Sequence, residues 1–398
     1  MPLALCVKKS AGCGYKTYAC LSKNNTSEFY ITVEPDGARS ENFSTQLKAL
    51  SANYLLALKA SGLDSGSVSY IALFTKSNKT DKKILSFLRL KDAPISIIRQ
   101  APLSKAAFSL IAYCVKLPPA HRKSVASYRV AGRKHGCYIT RLKNYSYIWS
   151  LNLNHPFRRP MPDTGVQTIY VLKQLQKDLK LRKATLTKNL LRTWVYINGL
   201  YSNYGKMASA RAMTLRKANL TDKTHFVAST GIGGKIGTIA GTKVSMNALS
   251  VAGLKNNQVT YLRAPEAMCP AYKYNVTFER GSKVSYADRA HIYISGTASI
   301  SKSGKILFPG DIIKQTKRTL FNIKAILKSG NASLRQIAFL IIYVKYAQHS
   351  ATVKRMIERL FPGVPCVFLQ APICRKEWLV EIEGVAILKE NNRKFPAF

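Results

Sequence analysis

An internal repeat constrains the fold of this chain more than any other feature of the sequence. Residues 291–388 contain six patterned segments, a strand, a helix, a strand, a shorter helix and two strands, which read HIYISGTASI, GDIIKQTKRTLFNIKAILKSG, LRQIAFLIIYVKY, SATVKRMIERLFPG, PCVFLQAPIC and WLVEIEGVAIL. Residues 145–254 repeat this order, from the strand-like YSYIWSLNLN to the strand-like KVSMNALSVAGL. The shared order β-α-β-α-β-β predicts an α+β fold with two related units, each a sheet with helices packed on one face.

The repeat also predicts how the chain is divided into domains. We expect an N-terminal domain, residues 1–255, that contains a degenerate copy of the fold after a divergent first 140 residues, and a C-terminal catalytic domain, residues 256–398. The first 140 residues contain strand-like runs such as EFYITVE and SVSYIALFTK, which we do not assign to a unit. A chain of 398 residues is long enough to bury two such cores.

The chain is strongly basic, with 62 Lys and Arg against 19 Asp and Glu and a net charge of +43. A charge of this size attracts nucleic acid, anionic membranes or small anions. The basic residues are spread over most of the chain, and neither a basic–aromatic motif nor a phosphate-binding loop accompanies them. We therefore interpret the charge as a property of the whole surface and expect a small anionic substrate, with no nucleic acid partner.

Other classes of protein are not expected. The sequence contains no run of 18 apolar residues, and its start does not have the charge order of a signal peptide, so we expect a cytoplasmic protein with no membrane partner. The eight cysteines form no CxxC pair and the six histidines are scattered, which predicts reduced thiols and no metal site.

Two glutamates, Glu381 and Glu383, lie in the apolar segment WLVEIEGVAIL of a chain that has few acidic residues. Strand alternation places both side chains on one face. Aligning VSMNALSVA with VEIEGVAIL places Ser245 and Asn247 of the first copy at the positions of Glu381 and Glu383. Because the two carboxylates occur in only one copy, we favour a chemical role for them. The structural alternative is that both glutamates lie on the solvated face of an edge strand. A carboxyl in a partly desolvated pocket has a raised pKa and can act as a general acid near neutral pH.

Several segments of the chain resemble one enzyme superfamily. ISGTASI, IIKQTKRTLFNIKAIL and VEIEGVAIL are similar to segments of the reactive-intermediate (imine) deaminases. Within that superfamily, WVYI, SARA, ASTGIGG, PAYKY, ISGTASI and APICRKEWLVEIEG, in this order over roughly residues 190–390, resemble the chorismatases. The imine deaminases carry an arginine in a P-x-R-[ST] setting before the acidic strand, but here PCVFLQAPIC has none and Arg375 follows its end. The resemblance therefore favours a chorismatase over an imine deaminase.

The resemblance to chorismatases implies the reaction and its catalytic residues. Glu381 matches the acid that protonates the enolpyruvyl group of chorismate, and no cofactor is needed. Cys374 is similar to members of the family that form 3-hydroxybenzoate, whereas Ala298 is similar to the hydrolysing members. These two markers disagree, and together they imply pyruvate plus 3-hydroxybenzoate, alone or with 4-hydroxybenzoate. Two alternatives stay open: a chorismate hydrolase giving 3,4-dihydroxycyclohexadiene carboxylate, and a non-catalytic basic binding protein on the same fold.

Chorismate is a dianion, so its pocket needs a group that binds a carboxylate in bidentate fashion. We expect Arg211 and Tyr272 to bind the substrate, with Arg263 and Tyr274 as weaker alternatives. The structural alternatives are that Arg211 is a cation on a helix surface and that Tyr272 only packs in the core. We expect either a monomer or a pseudo-symmetric assembly.

Overall fold

The structure is a computed structural model, and its described residues form three β-sheets with helices on their outer faces. The described residues are 5–12, 14–22, 26–35, 42–79, 81–88, 93–104, 106–118, 127–129, 135–156, 159–274 and 276–398.

The first sheet has the strand order β1-β2-β3-β7-β4-β5. Its strands are β1 (Leu5–Gly12), β2 (Tyr15–Ser22), β3 (Ser27–Val33), β4 (Val68–Thr75), β5 (Ile95–Ile98) and β7 (Phe108–Lys116). Two helices, α1 (Phe43–Ala60) and α2 (Asp81–Leu88), cover one face and share a core with it. The short strand β6 (Ala101–Pro102) leaves this sheet and pairs with the third one.

The second sheet has the order β12-β11-β13-β10-β9-β8. Its strands are β8 (Ser127–Arg129), β9 (Gly136–Arg141), β10 (Ser146–Asn154), β11 (Leu190–Ile197), β12 (Ala228–Gly233) and β13 (Val244–Ala252). Its helices are α3 (Thr164–Lys180), the single turn α4 (Leu186–Asn189) and α5 (Leu200–Lys217). Helices α3 and α5 pack on the sheet because Val171, Leu172 and Leu175 of α3 recur at helical spacing and are buried.

The third sheet has the order β14-β15-β16-β19-β17-β18-β6. Its strands are β14 (Val259–Leu262), β15 (Gly281–Ser285), β16 (Arg289–Ala298), β17 (Ile337–Val344), β18 (Cys366–Gln370) and β19 (Val380–Lys389). Helix α6 (Ile312–Ser329) begins after Asp311, whose side chain accepts a hydrogen bond from the backbone N–H of Lys314 at 2.9 Å, and α7 (Ser350–Leu360) follows β17.

All three sheets are copies of one unit. In each, three antiparallel strands are followed by a helix, a strand, a helix, a parallel neighbour and a closing strand that inserts into the sheet. In each unit, the strand after the first long helix pairs with the closing strand, and this pairing has a bulge at the same place. The bulge lies between Val68 and Tyr70, Leu190 and Arg192, or Ile337 and Phe339. The predicted α+β repeat is therefore present, and the described part of the first 140 residues contains a third copy that the sequence patterns did not reveal.

Equivalent residues of the three units can be identified by counting along the strands from this bulge. Glu381 lies opposite Tyr343 of β17, as Ser245 lies opposite Tyr196 of β11. The corresponding residue of the first unit is Ser109. This register reproduces the predicted alignment of Ser245 with Glu381. The predicted division at residue 255 falls between β13 and β14 and stays a prediction.

The inner faces of the three sheets meet around aromatic side chains. Tyr70 stacks on Trp149 with ring centroids 4.4 Å apart, and Trp149 lies 6.4 Å from Trp194. The units also contact one another in a ring, because β5 approaches β10, β12 approaches β16, and β18 pairs with β6 of the first unit. Each unit therefore forms an interface with both of the others, and the site described below lies at one of these interfaces.

One predicted boundary is wrong. The segment PCVFLQAPIC was expected to be a strand up to Cys374, but β18 ends at Gln370. Beyond it the chain turns to the second sheet, where the carbonyl of Pro372 accepts a hydrogen bond from the N–H of Gly233 at 2.9 Å. Ile373 also forms a bridge with Ile232. Cys374 therefore lies in the connection before β19. None of the helices among the described residues is long and apolar enough to cross a membrane.

Candidate active site

A cavity of about 140 Å³ lies at the interface between the second and third sheets. Helix α5 and strand β12 line it from the second unit, while β16, β19 and the connection before β19 line it from the third. It brings together most of the residues that the sequence singled out, namely Glu381, Cys374, Arg211, Ala298 and Tyr274.

Glu381 projects from β19 into this cavity, directly opposite Ala298 of β16. Its side chain is 4% exposed, and Oε2 is buried without a hydrogen-bond partner among the described residues. Burial raises the pKa of Glu381 to about 8, the negative charge of Glu383 adds to this rise, and Arg192 and Arg280 oppose it. The carboxyl therefore holds a proton at neutral pH and can donate it to a ligand.

Glu383 has a different environment, although it is only two residues away on the same strand. Its carboxylate forms a short ion pair with Arg192 and accepts a short hydrogen bond from Thr230. The Nε1–H of Trp194 and the hydroxyl of Tyr343 also donate to it, at 3.0 and 3.1 Å. Since these donors occupy both of its oxygens, Glu383 holds the second and third sheets together, and Glu381 is the carboxyl left for chemistry.

Arg211 lies on the opposite wall of the cavity, where α5 places it 8% exposed. Its Nη1 donates a hydrogen bond to Ser229 Oγ at 3.0 Å. Burial lowers the pKa of Arg211 to about 10, so the guanidinium remains charged at neutral pH. It can use its other N–H groups to bind a carboxylate.

Two further arginines line the cavity and were not predicted as binding residues. Arg280, immediately before β15 and 4% exposed, donates to the hydroxyl of Tyr274 at 2.7 Å, and its Nε is buried without a partner among the described residues. Arg375 lies over the rings of Tyr274 and Trp378, at 4.9 and 5.1 Å from their centroids. Three guanidinium groups therefore surround the acid, which suits an anionic ligand. In a chain with 62 Lys and Arg, no sequence signal separated these two from the rest.

Tyr274 lines the cavity, but the structure does not bring Tyr272 and Arg263 to it. Arg263 instead forms a two-pronged ion pair with Glu279, at 2.9 and 2.6 Å. Tyr272 packs against the core of the second unit, with its ring 5.8 Å from the Arg263 guanidinium. The carboxylate of Glu279 holds Arg263 outside the cavity, which sequence spacing could not reveal.

Cys374 is half-buried beside the acid and contacts the cores of both units. Burial raises the pKa of the Cys374 thiol far above its ordinary value, and the negative charge of Glu381 adds to the rise. The thiol therefore stays protonated at neutral pH. It shapes the cavity wall and is not a ready thiolate nucleophile.

Gly296, which the sequence analysis did not single out, makes room for the acid. A Cβ at this position would overlap Oε1 of Glu381 and lie 3.0 Å from Cγ2 of Thr230. The N–H of Gly296 donates to Thr230 Oγ1 at 2.9 Å, which fixes the strand at this point. Only glycine leaves the Glu381 carboxyl in its present position. Among the described residues, no group of three or more His, Cys, Asp or Glu side chains could hold a metal ion.

The fold is that of a known class of protein. Residues 281–388 match the family model described as endoribonuclease L-PSP. A crystal structure of a chorismatase is similar over 91% of this chain and 99% of its own, with a TM-score of 0.62 and 18% sequence identity. These comparisons confirm the predicted α+β fold and the predicted resemblance to chorismatases within the imine deaminase-like superfamily.

A curated relative narrows the resemblance. The 3-hydroxybenzoate synthase of Streptomyces hygroscopicus is 25% identical to this chain over 218 residues. The match covers 50% of this chain and 64% of that enzyme, so the chain spans less than two thirds of the relative's length.

Proposed function

We propose that this protein converts chorismate to pyruvate and 3-hydroxybenzoate, alone or with 4-hydroxybenzoate. The observation that carries the proposal is Glu381, a buried carboxyl whose Oε2 has no partner among the described residues and whose pKa is raised to about 8. It faces a cavity lined by Arg211, Arg280 and Arg375. The comparison with a 3-hydroxybenzoate synthase supports the same reaction.

Glu381 acts as the general acid of this reaction. The terminal methylene carbon of the enolpyruvyl ether takes the proton, which gives an oxocarbenium ion. The bond between the ring carbon and the ether oxygen then breaks, so that the oxygen leaves in pyruvate, and the ring loses one proton to the Glu381 carboxylate as it becomes aromatic. Pyruvate and hydroxybenzoate together have the composition of chorismate, so this route consumes no water. Hydrolysis to the dihydroxycyclohexadiene carboxylate adds one water molecule.

The arginines bind the two carboxylates of the substrate. Arg211 lies on the wall formed by the second unit, whereas Arg280 and Arg375 lie on the wall formed by the third. Charges on both sides of Glu381 orient a dianion with its enolpyruvyl group at the acid. A cavity of about 140 Å³ is smaller than the usual ligand pocket of about 300 Å³ or more. We expect the side chains of Arg375 and Tyr274 to move apart when the substrate binds.

The fate of the ring depends on whether water reaches it. Cys374 is a protonated, mostly apolar group beside the acid, and it excludes water from the position that it fills. Ala298, opposite Glu381, is the feature that favours the hydrolysing alternative through its resemblance to the hydrolysing members. We propose that Cys374 dominates and that hydroxybenzoate is the main product.

The test is incubation of the purified protein with chorismate, with pyruvate measured by a coupled assay and the ring products separated by chromatography. Glu381→Gln removes the acid at nearly constant volume and is expected to lower kcat by about 10²- to 10⁴-fold. Glu377→Gln is the matched control, since Glu377 is exposed and four residues away. Wild-type rates in the Glu381→Gln variant would contradict the assignment of Glu381 as the acid. Absence of pyruvate with the wild-type protein would contradict the proposed enzymatic activity.

A further inference from the structure

A second cavity, of about 450 Å³, lies at the interface between the third and first units. Its volume falls within the range of ordinary ligand pockets. Helix α7 and strand β18 line it from the third unit, while β2, β3 and the residues that follow β3 line it from the first. The candidate active site is lined by α5, β12 and β16, which are the equivalent elements of its own two units.

The equivalence extends to single residues. Cys366 of β18 lies opposite Leu340, one position after the bulge pair of β17, and Ser229 of β12 lies opposite Thr193 in the same relation. Cys366 lines the second cavity as Ser229 lines the first. The second cavity is therefore the counterpart of the candidate active site, built at another interface of the ring.

The second cavity also has a carboxyl next to the position equivalent to Glu381, but this carboxyl comes from the neighbouring strand. In the candidate active site the acid Glu381 lies opposite Ala298. In the first unit Val33 pairs with Leu110, and the next step of the same register places Glu34 beside Ser109, the equivalent of Glu381. Serine thus replaces the acid on the closing strand, and Glu34 supplies a carboxyl from the strand across.

Positive charge surrounds Glu34. Burial raises the pKa of Glu34, and hydrogen bonds with Ser104 and Ser109 and the charges of Lys354 and Lys16 oppose the rise. Both lysines line the cavity together with Glu34. Lys16 pairs with Glu358 at 3.3 Å, whereas no carboxylate among the described residues forms an ion pair with Lys354. Within the part of the chain that the structure describes, Lys354 is therefore an exposed cation without an ion-pair partner, and it lines the same cavity as the half-buried Glu34.

The start of α7 also lines the cavity. Ser350 and Ala351 begin this helix of 11 residues, no side chain caps the helix start, and the N–H of Ser350 donates to the carbonyl of Ala347. Backbone N–H groups at a helix start favour a negative group, as the ammonium of Lys354 does. On the other side, Leu103 and Phe368 offer an apolar surface to a ring.

We propose that this cavity binds a small ring compound with one carboxylate and a ring hydroxyl. The carboxylate binds Lys354 and the start of α7, the ring packs on Phe368 and Leu103, and the carboxyl of Glu34 forms a hydrogen bond with the hydroxyl. Since serine replaces the acid on the closing strand, the site binds its ligand without converting it. The proposal concerns a different interface and does not rest on the function proposed for Glu381.

The test is calorimetric titration of the full chain with 3-hydroxybenzoate and, separately, with benzoate, which lacks the hydroxyl. Lys354→Met is expected to weaken binding of both compounds at this site by roughly tenfold or more, because it removes a charge-assisted contact. Glu34→Leu is expected to weaken binding of 3-hydroxybenzoate and to leave benzoate unchanged. Arg355→Met is the matched control, since Arg355 is exposed on the same helix and does not line the cavity.

A second variant separates this site from the candidate active site. We expect Lys354→Met to weaken binding at the second cavity and Arg211→Met to leave that binding unchanged. If Arg211→Met abolishes all binding of 3-hydroxybenzoate, or if Arg355→Met weakens it as much as Lys354→Met does, the proposal is wrong. Absence of any binding to the wild type at millimolar concentrations would also overturn it. Pyruvate formation from chorismate is measured independently, so failure of one proposal does not affect the other.

Discussion

Glu381 and Glu383 show how the partners of a side chain decide its role. Both are almost fully buried, at 4% and 2% exposure, and they lie two residues apart on one strand. Glu383 has four donors around it, among them the cation of Arg192. Glu381 keeps a buried oxygen without a partner among the described residues. A buried carboxylate without a partner is energetically unfavourable, so burial keeps a proton on Glu381. Glu383 is equally buried but is paired with Arg192.

The protonation of Glu381 predicts the pH dependence of the reaction. In the proposed reaction the acid acts in its protonated form, which dominates below a pKa of about 8. We therefore expect kcat to be level from about pH 6 to 7 and to fall about tenfold per pH unit above about 8. Steady-state pyruvate formation between pH 5 and 10 measures this. Cys374 cannot produce the decline, because burial raises its pKa far higher. A decline that starts near pH 5 would contradict the assignment.

The same pKa predicts an effect on stability that needs no substrate. The pKa of Glu381 rises from 4.5 to about 8 on folding, so the folded protein binds the extra proton between these values. The contribution to stability is complete below about pH 4.5 and is lost as the pH rises through about 8. Glu381→Gln lacks this loss. At pH 9 it should be more stable than the wild type by about 1–3 kcal/mol in urea denaturation, with no difference at pH 4. Equal stabilities at pH 9 would contradict the raised pKa.

Gly296 allows a test of the acid's position without changing the acid itself. A methyl group at residue 296 would displace the Glu381 carboxyl, so Gly296→Ala is expected to lower kcat by roughly 10²-fold while the fold is retained. Gly205→Ala is the control, because a Cβ at Gly205 of α5 meets nothing within 4 Å and an alanine suits a helix interior better. Circular dichroism and pyruvate formation measure the two effects, and full activity in Gly296→Ala would contradict this role.

At the level of elements, patterns in the sequence were sufficient where strands and helices were long. The segments predicted for the second and third units contain β10, β11, β13, β16, β17 and β19, because runs of eight to ten residues show a clear period. The first unit was missed, since its second helix has 8 residues and β5 has only 4. Such short segments do not establish a period.

The candidate site could be predicted only in part, for a related reason. Glu381 was found because an acid in an apolar strand is conspicuous within the sequence itself. Arg280 lies about a hundred residues earlier and reaches the cavity only through the pairing of β15, β16 and β19. Arg263 was expected at the site but pairs with Glu279. Pairings between distant strands decided both outcomes, and one sequence does not reveal them.

The contact between elements β11 and β19 can be tested through its ion pair. Arg192 of β11 and Glu383 of β19 are both 2% exposed, and they belong to different units. Arg192→Met leaves a buried carboxylate without its cation and is expected to cost about 3–5 kcal/mol of unfolding free energy. The double variant Arg192→Met with Glu383→Gln removes the charge as well and should recover a large part of this loss. Urea denaturation of the single and double variants measures both, and additive losses would contradict the pairing.

At the scale of the whole molecule, three copies in one chain allow the three interfaces to differ. One interface has Glu381 opposite Ala298, and a second has Glu34 beside Ser109. At the third, Ser245 lies opposite Asn154, so the corresponding pair has no carboxyl. A ring of identical chains would carry the same residues at every interface, whereas tandem copies keep the acid at one and adapt the others. The arrangement explains why the carboxylates were confined to one of the two repeats seen in the sequence.

The net charge of +43 predicts two opposite responses to salt. Raising the ionic strength from about 0.01 M to about 0.1 M shortens the screening length from about 30 Å to about 10 Å. Self-repulsion of the folded chain then weakens, so we expect Tm to rise by a few degrees in differential scanning calorimetry. The attraction of a dianionic substrate weakens as well, so kcat/KM for chorismate should fall several-fold, while kcat, measured with bound substrate, stays nearly constant. Sodium and potassium chloride at equal ionic strength should act alike, because the effect is screening. A Tm that falls with salt, or a kcat/KM that does not change, would show that the charge is compensated locally and does not act as one field over the molecule.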